Sequence, residues 1–237
     1  MAKLSRPHHE GHRNDSIGWM RATVLGANDG LISTSSLLMG VAAAGAAPRA
    51  LAMTGVAALV AGALSMAAGE YVSVSTQADT ERADTEKERR ELEEMPDAEL
   101  RELTHIYMQR GLSRELAAQV AEEMTAHDAL GTHLRDELGI VGHLSANPVQ
   151  AALASASAFS TGALLPIAIA WLFAGQVGFS WILILATLAL LAVLGAMAGW
   201  LGGASKWKGA LRVLFWGAAA MAVTSGIGHL FGTALAG

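Results

Sequence analysis

Long apolar stretches alternate with polar ones along this chain of 237 residues. The apolar stretches occupy about 19–47, 51–74, 149–174, 179–201 and 209–236. Each is long enough to cross the hydrocarbon core of a bilayer as a helix, which takes about 20 residues. The pattern therefore predicts an all-α membrane protein with five transmembrane helices and a charged helical domain inserted between the second and third.

The charged domain begins within the second of these helices. From Leu51 to Glu94 the chain passes from apolar to charged residues with no proline, so we expect one continuous helix. Pro96 ends it, and Gly111 separates two further helices. Ser113 is a plausible N-cap for the last, which Gly139 ends. The apolar residues of these two helices fall on helical stripes: Leu100, Leu103, Tyr107, Leu112, Leu116, Val120 and Met124.

These features divide the chain into four parts. We predict a cytosolic N-terminal segment (1–18), transmembrane helices one and two (19–78), a cytosolic acidic helical domain (79–141) and transmembrane helices three to five (148–237). The first segment contains His8, His9, Glu10 and His12. A solvated terminus is the favoured interpretation of this cluster, and a metal site is the alternative.

The charges of the chain are unevenly distributed. Most of its 21 acidic residues lie in the predicted acidic domain, so the net charge of −5 belongs to that domain. Every Lys and Arg except Arg49 falls on the side of the N-terminus if there are five spans, which predicts a cytosolic N-terminus and acidic domain. Cysteine is absent, which excludes disulfides and thiolate ligands. No basic surface with aromatic residues suggests nucleic acid as a partner.

Two acidic residues lie well inside predicted spans, Asp29 and Glu70. A carboxylate at this depth costs several kcal/mol, so it usually faces a pathway, a cavity or a partner. Gly26 and Gly30 flank Asp29 and allow close helix approach or local unwinding. Met66 lies one turn from Glu70, and its soft thioether tolerates Fe²⁺ better than Ca²⁺ or Mg²⁺. These carboxylates can exchange a metal for a proton, which is the physical basis of antiport.

The acidic domain contains two E-x-x-E pairs, Glu88/Glu91 and Glu99/Glu102. Each pair places two carboxylates on one helix face, which suits a divalent cation but is also common on solvated acidic helices. Glu102 and His105 form one E-x-x-H motif without a second. This disfavours a di-iron oxidase, so an enzyme is not expected.

Several motifs together are family-specific. The segments GANDGLIST and SMAAGEYVSVSTQAD, an E-x-x-E-rich helix, IYMQRGLS and DELGI resemble the vacuolar iron transporter family, in a bacterial form. The resemblance implies five transmembrane helices, a cytosolic three-helix metal-binding domain and a homodimer with the transport path between protomers. It further implies export of Fe²⁺ from the cytosol, often with Mn²⁺ and other divalent ions, in exchange for protons.

The resemblance also assigns residues. Asp29 and Met66 match the family's pathway, and Glu70 lies in its GEY motif. The matches to its cytosolic metal ligands are Glu88, Glu91, Glu99, Glu102 and Glu137. Plant members place two methionines four and three residues before the last glutamate, where this chain has His133 and Leu134. His133 can replace a thioether with imidazole, whereas Leu134 cannot bind metal.

The leading hypothesis is a divalent-metal/proton antiporter in a bacterial inner membrane, with Fe²⁺ as substrate and no obligatory cofactor. Its expected partners are divalent metal ions, protons, the lipid bilayer and a second copy of the chain. Two alternatives remain: a transporter that prefers Mn²⁺, and a membrane-anchored metal buffer or sensor without translocation.

Overall fold

The computed structural model describes the backbone of residues 14–140 and 147–235, with side chains over 23–140 and 147–233. Over these ranges the chain forms seven helices and no strand. They are α1 Asn14–Ala43, α2 Pro48–Glu94, α3 Pro96–Gln109, α4 Arg114–Asp136, α5 Pro148–Phe173, α6 Phe179–Leu201 and α7 Lys206–Leu235. His8, His9, Glu10 and His12 lie outside the described residues. The predicted all-α class is confirmed, and α2 is the expected single helix.

Within the residues whose side chains are described, four of the helices are long and apolar enough to cross a membrane: α2, α5, α6 and α7. Helix α1 is of similar length, but Asn28, Asp29 and the hydroxyl residues Ser33 to Ser36 lower its mean hydropathy. The chain is therefore a membrane protein with several spans, and the fifth span stays a prediction.

The chain divides into two compact units. Unit 1 comprises Met1–Glu70 and Ala151–Gly237, and unit 2 comprises Tyr71–Gln150. Helix α2 contributes its first half to unit 1 and its second half to unit 2. The cytosolic location and metal-binding role predicted for residues 79–141 stay predictions.

Unit 1 is held by apolar residues and by close helix contacts. Its core contains Leu38, Met39, Leu51, Ile169, Ala170, Phe179, Leu183 and Met221. Within it the hydroxyls of Ser35 on α1 and Thr187 on α6 form a buried hydrogen bond of 2.9 Å. A Cβ on Gly195 of α6 would lie 2.7 Å from the carbonyl oxygen of Gly209 on α7. These two backbones therefore approach at a distance that only glycine allows.

Close approach also explains the glycines around Asp29. A Cβ on Gly26 would lie 2.8 Å from Cβ of Ala158 on α5, and one on Gly30 would meet the carbonyl oxygen of Phe159. Helix α1 runs unbroken through Asp29. Of the two roles expected for these glycines, the structure therefore favours close packing over local unwinding.

Unit 2 contains a small core between α3 and α4. Leu103 and Tyr107 of α3 pack with Ala117 and Ala121 of α4. The prediction that Leu116 belongs to this apolar face was wrong, because its side chain is 46% exposed. The buried face of α4 is centred one residue later, on alanines small enough to let the helices approach.

The ends of these helices follow their local sequence. Pro96 starts α3 at a position where its missing N–H costs nothing. The Ser113 hydroxyl accepts a hydrogen bond from the Leu116 amide, 3.3 Å away, so the predicted N-cap of α4 is confirmed. Gly111 and Gly139 have positive φ values of 99° and 69°, which lets the chain turn after each helix.

Candidate metal centre

Three helices of unit 2 bring four potential metal ligands together. Glu88 comes from α2, Glu99 from the first turn of α3, His133 from the last turn of α4, and Glu137 from the residue after that helix. One ligand atom from each lies within 4.8 Å of all the others. We call these four residues the Glu₃His group.

The imidazole lies at the centre of this group. His133 Nδ1 is 2.9 Å from Glu88 Oε1, 2.9 Å from Glu137 Oε2 and 3.8 Å from Glu99 Oε2. The His133 side chain has no exposed surface, and those of Glu88 and Glu99 are 4% and 8% exposed. The Glu137 side chain is 25% exposed, so the group is open to solvent mainly at Glu137.

The group is short of positive charge and of hydrogen bonds. Nδ1 carries at most one hydrogen, and its hydrogen bond is with Glu137. This leaves Glu88 Oε1 buried without a hydrogen-bond partner, and in the part of the chain described the buried His133 Nε2 has none either. One imidazole cannot neutralise three carboxylates, and buried charges are normally paired or bound to metal. A divalent cation held by oxygen and imidazole nitrogen fits this donor set.

The electrostatics of the metal-free group reflect this crowding. Burial, together with the charge of Glu137, raises the pKa of Glu88 from 4.5 to about 7. Burial and the neighbouring charge of Glu102 also raise the pKa of Glu99. A bound cation reverses both effects because it favours the ionised carboxylates.

A break in α4 sets His133 apart from the first part of that helix. Asp128 has φ −160° and ψ 87°, which is not helical, and its Oδ1 accepts a hydrogen bond from the Gly131 amide at 3.0 Å. Asp128 thus acts as an N-cap for a second, short helical segment, residues 129–136. The sequence predicted one uninterrupted helix here. The available signal was an aspartate three residues before a glycine, in the segment HDALG.

A second feature that the sequence did not predict lies beside Glu137. Asp136 accepts a hydrogen bond from Arg110 Nη1 at 2.7 Å and one from the Tyr107 hydroxyl at 2.9 Å. Arg135 Nη2 contacts the same carboxylate at 3.1 Å. Burial opposes ionisation of Asp136, but these three donors outweigh it and lower its pKa below the usual value. This network joins the end of α3 to the end of α4.

The other predicted ligands of unit 2 lie outside the group. Glu91 is paired with Lys87 at 3.3 Å. Glu102 is exposed and lines an open cleft of ≈ 530 Å³ together with His105, Arg110 and Glu137. Leu134 is half-buried. The structure therefore places one carboxylate of each E-x-x-E pair in the Glu₃His group and leaves the other outside that group. Metal binding by any of these carboxylates stays a prediction.

The three predicted pathway residues lie in unit 1. Met66 and Glu70 are half-buried on α2, four residues apart and so on one helix face. Asp29 is exposed on α1, and the Ser33 hydroxyl donates to its carbonyl oxygen at 2.6 Å. Their role in transport stays a prediction.

Comparison with known proteins shows to which family the chain belongs. The model of the VIT family matches residues 20–229. The chain belongs to the VIT family. A vacuolar iron transporter of Acanthamoeba castellanii is 44% identical over 91% of this chain and 79% of its own length. Vacuolar iron transporter homolog 1 of Arabidopsis thaliana is 38% identical over 91% of this chain and 84% of its own. Vacuolar iron transporter homolog 1 of rice is 36% identical over 90% and 74%.

The resemblance noted from the sequence motifs is thus confirmed. The match of this VIT-family chain extends over most of both units, including most of α1 and all of the Glu₃His group. The family and its named members are transporters, so this membrane protein is a transporter rather than an enzyme.

Proposed function

We propose that this VIT-family chain moves Fe²⁺, together with Mn²⁺ and other divalent metals, out of the cytosol in exchange for protons. The Glu₃His group carries the proposal, because its buried, unneutralised carboxylates and imidazole suit a divalent cation. The names of the relatives point to iron. The metal is the cargo, so no resident cofactor enters the mechanism.

The first step is capture of the metal by unit 2. The negative charge of this unit raises the local concentration of cations. The Glu₃His group then selects among them, because a site with three carboxylates and one imidazole holds Fe²⁺ or Mn²⁺ better than a monovalent ion. We place unit 2 in the cytosol, with α1 as a fifth span, since every Lys and Arg except Arg49 then faces the same side. In a bacterium this means export across the inner membrane.

The second step is passage through the membrane along Glu70, Met66 and Asp29. Asp29 is exposed in the single protomer, and an exposed carboxylate facing lipid would cost several kcal/mol. This supports a homodimer in which a second protomer covers Asp29 and the path runs between the two chains. Protons arriving from the far side displace the metal from the carboxylates and reset them.

A Mn²⁺-preferring transporter is a second candidate, and His133 favours it. The Glu₃His group offers nitrogen and oxygen donors and no sulfur, whereas the plant pattern has methionine in the place of His133. Loss of a soft thioether weakens the preference for Fe²⁺ over Mn²⁺. Competition between the two ions for uptake separates this candidate from the first.

Transport is tested by metal uptake into proteoliposomes that contain the full chain and a pH-sensitive dye. We expect Fe²⁺ entry with a rise in internal pH, and faster entry when the lumen is acidified first. Asp29→Asn should abolish both signals, whereas Asp79→Asn, at an exposed carboxylate of α2, should leave them unchanged. Metal that binds to the protein without entering would refute transport and leave a membrane-anchored buffer or sensor.

A further inference from the structure

The last ligand of the Glu₃His group lies at the very end of its helix. Glu137 follows the end of α4, and its amide still donates to the His133 carbonyl oxygen at 2.9 Å. Gly139 then turns the chain away with a positive φ of 69°. Helix geometry therefore keeps Glu137 one turn after His133, but it does not fix the position of this last turn relative to α3.

The short segment that carries both ligands is also separated from the rest of α4. The break at Asp128 interrupts the helix five residues before His133. The segment 129–136 is only about two turns long, and isolated helices of that length are unstable in water. The core contacts of Ala117 and Ala121 lie on the other side of the break. They hold the first part of α4 against α3 without fixing the direction of this segment.

The network around Asp136 ties the end of this segment to α3. Arg110, the residue that ends α3, donates to the carboxylate of Asp136 and, through Nη2, to its backbone carbonyl oxygen, each at 2.7 Å. Tyr107 is 7% exposed and donates to the same carboxylate. A guanidinium that bridges a carboxylate and a carbonyl fixes both position and orientation. Asp136 directly precedes Glu137, so this contact also fixes the position of the Glu137 backbone.

We propose that Asp136, held by Arg110 and Tyr107, is a positioning residue for metal binding in unit 2. It contacts no metal itself. It keeps the end of α4 against α3, and thereby holds Glu137 and His133 facing Glu88 and Glu99. The inference rests on the proposed metal binding by the Glu₃His group and adds what orients two of its four ligands.

The test is metal titration of the full chain in detergent, with Co²⁺ and Mn²⁺ as probes and Asp136→Asn and Arg110→Gln as variants. Loss of a residue that orients a ligand typically lowers metal affinity about 10- to 100-fold. We expect a loss of this size for Co²⁺, which gains more from imidazole, and a smaller one for Mn²⁺, which suits carboxylates. The visible bands of bound Co²⁺ should also change, because they respond to the number and type of ligands.

Three controls separate positioning from general stability. Arg135→Gln removes the other arginine on Asp136, which lies next to it on the same segment and does not link α4 to α3, so both affinities should stay unchanged. Arg110→Lys keeps the charge but not the bridging geometry, and should recover only part of the Co²⁺ affinity. The double variant Asp136→Asn with Arg110→Gln should lose no more than either single variant, since both break one contact.

The outcomes distinguish the positioning role of Asp136 from the existence of the metal site. Wild-type affinity and an unchanged Co²⁺ spectrum in Asp136→Asn would overturn the positioning role alone. An equal loss for Co²⁺ and Mn²⁺ with an unchanged spectrum would also overturn it, because that pattern indicates a general loss of folded protein. Absence of binding by the wild type would overturn the metal site itself.

Discussion

Glu88→Gln should stabilise metal-free unit 2, although it removes a metal ligand. Burial and Glu137 raise the pKa of Glu88 from 4.5 to about 7, and its side chain is 4% exposed. Each unit of pKa shift corresponds to about 1.4 kcal/mol, so the ionised carboxylate destabilises the folded unit by roughly 3 kcal/mol above pH 7. The neutral amide of glutamine has nearly the same shape and does not ionise.

The sign of the pH dependence follows from the raised pKa. Below pH 4.5 Glu88 is protonated in both the folded and the unfolded chain, so its ionisation costs nothing. As the pH rises from 4.5 to 7, the unfolded chain releases this proton first, and the wild type progressively loses stability relative to Glu88→Gln. The difference is about 1 kcal/mol at pH 5 and roughly 3 kcal/mol at pH 8.

Hydrogen–deuterium exchange of the full chain with a chelator present measures this difference. Amides of α3 and the first part of α4 report the opening of unit 2. In Glu88→Gln they should exchange roughly a hundredfold or more slowly than in the wild type at pH 8, and only a few-fold more slowly at pH 5. Mn²⁺ without chelator should slow exchange in the wild type and have no effect in the variant.

The matched control is Glu86→Gln, at a carboxylate of α2 that is 59% exposed, and it should exchange like the wild type at both pH values. Faster exchange in Glu88→Gln than in the wild type at pH 8, or an equal difference at both pH values, would refute the reasoning. Either result would mean that the buried carboxylates are compensated in the absence of metal.

Three further predictions concern metal binding and helix packing. The affinity of the wild type for Mn²⁺ should fall about tenfold per pH unit as the pH drops below 7, because protonation of Glu88 competes with the metal. Mn²⁺ titrations at pH 8 and pH 6 measure this fall. His133→Met should lower affinity for Mn²⁺ more than for Fe²⁺, by about tenfold in the ratio, and parallel anaerobic titrations would expose an unchanged ratio. Gly162→Val should separate α5 from α1, since its Cβ would meet the carbonyl oxygen of Ala27, and gel filtration should then show aggregation; a normal elution profile would contradict this contact.

The sequence predicted the helices well because their signals are local. The apolar lengths placed α5 and α6 within one residue of their observed bounds, and the N-cap at Ser113 lies where the pattern indicated. The pattern placed Leu116 on the buried face, which was wrong, because the alanines on the neighbouring face allow closer packing with α3. Side-chain size across an interface is not visible in a one-dimensional pattern.

The candidate site was only partly predictable. The two E-x-x-E pairs identified the right helices. Both members of a pair lie on one helix face, so the spacing does not show which of the two enters the group. The structure includes Glu88 and Glu99 and leaves out Glu91 and Glu102. That choice depends on how α2, α3 and α4 pack. The contact of Arg110 with Asp136 joins residues 26 positions apart, and no local signal indicates it.

The most direct test of the account is to locate a bound ion in the full-length protein by anomalous X-ray scattering from Mn²⁺ or Fe²⁺. We predict an anomalous peak within coordination distance of Glu88, Glu99, His133 and Glu137, and its loss in Glu88→Gln. An ion bound only at Glu91 and Glu102, or no ion in unit 2 while the protein still transports metal, would contradict the central claim that the buried Glu₃His group receives the transported metal.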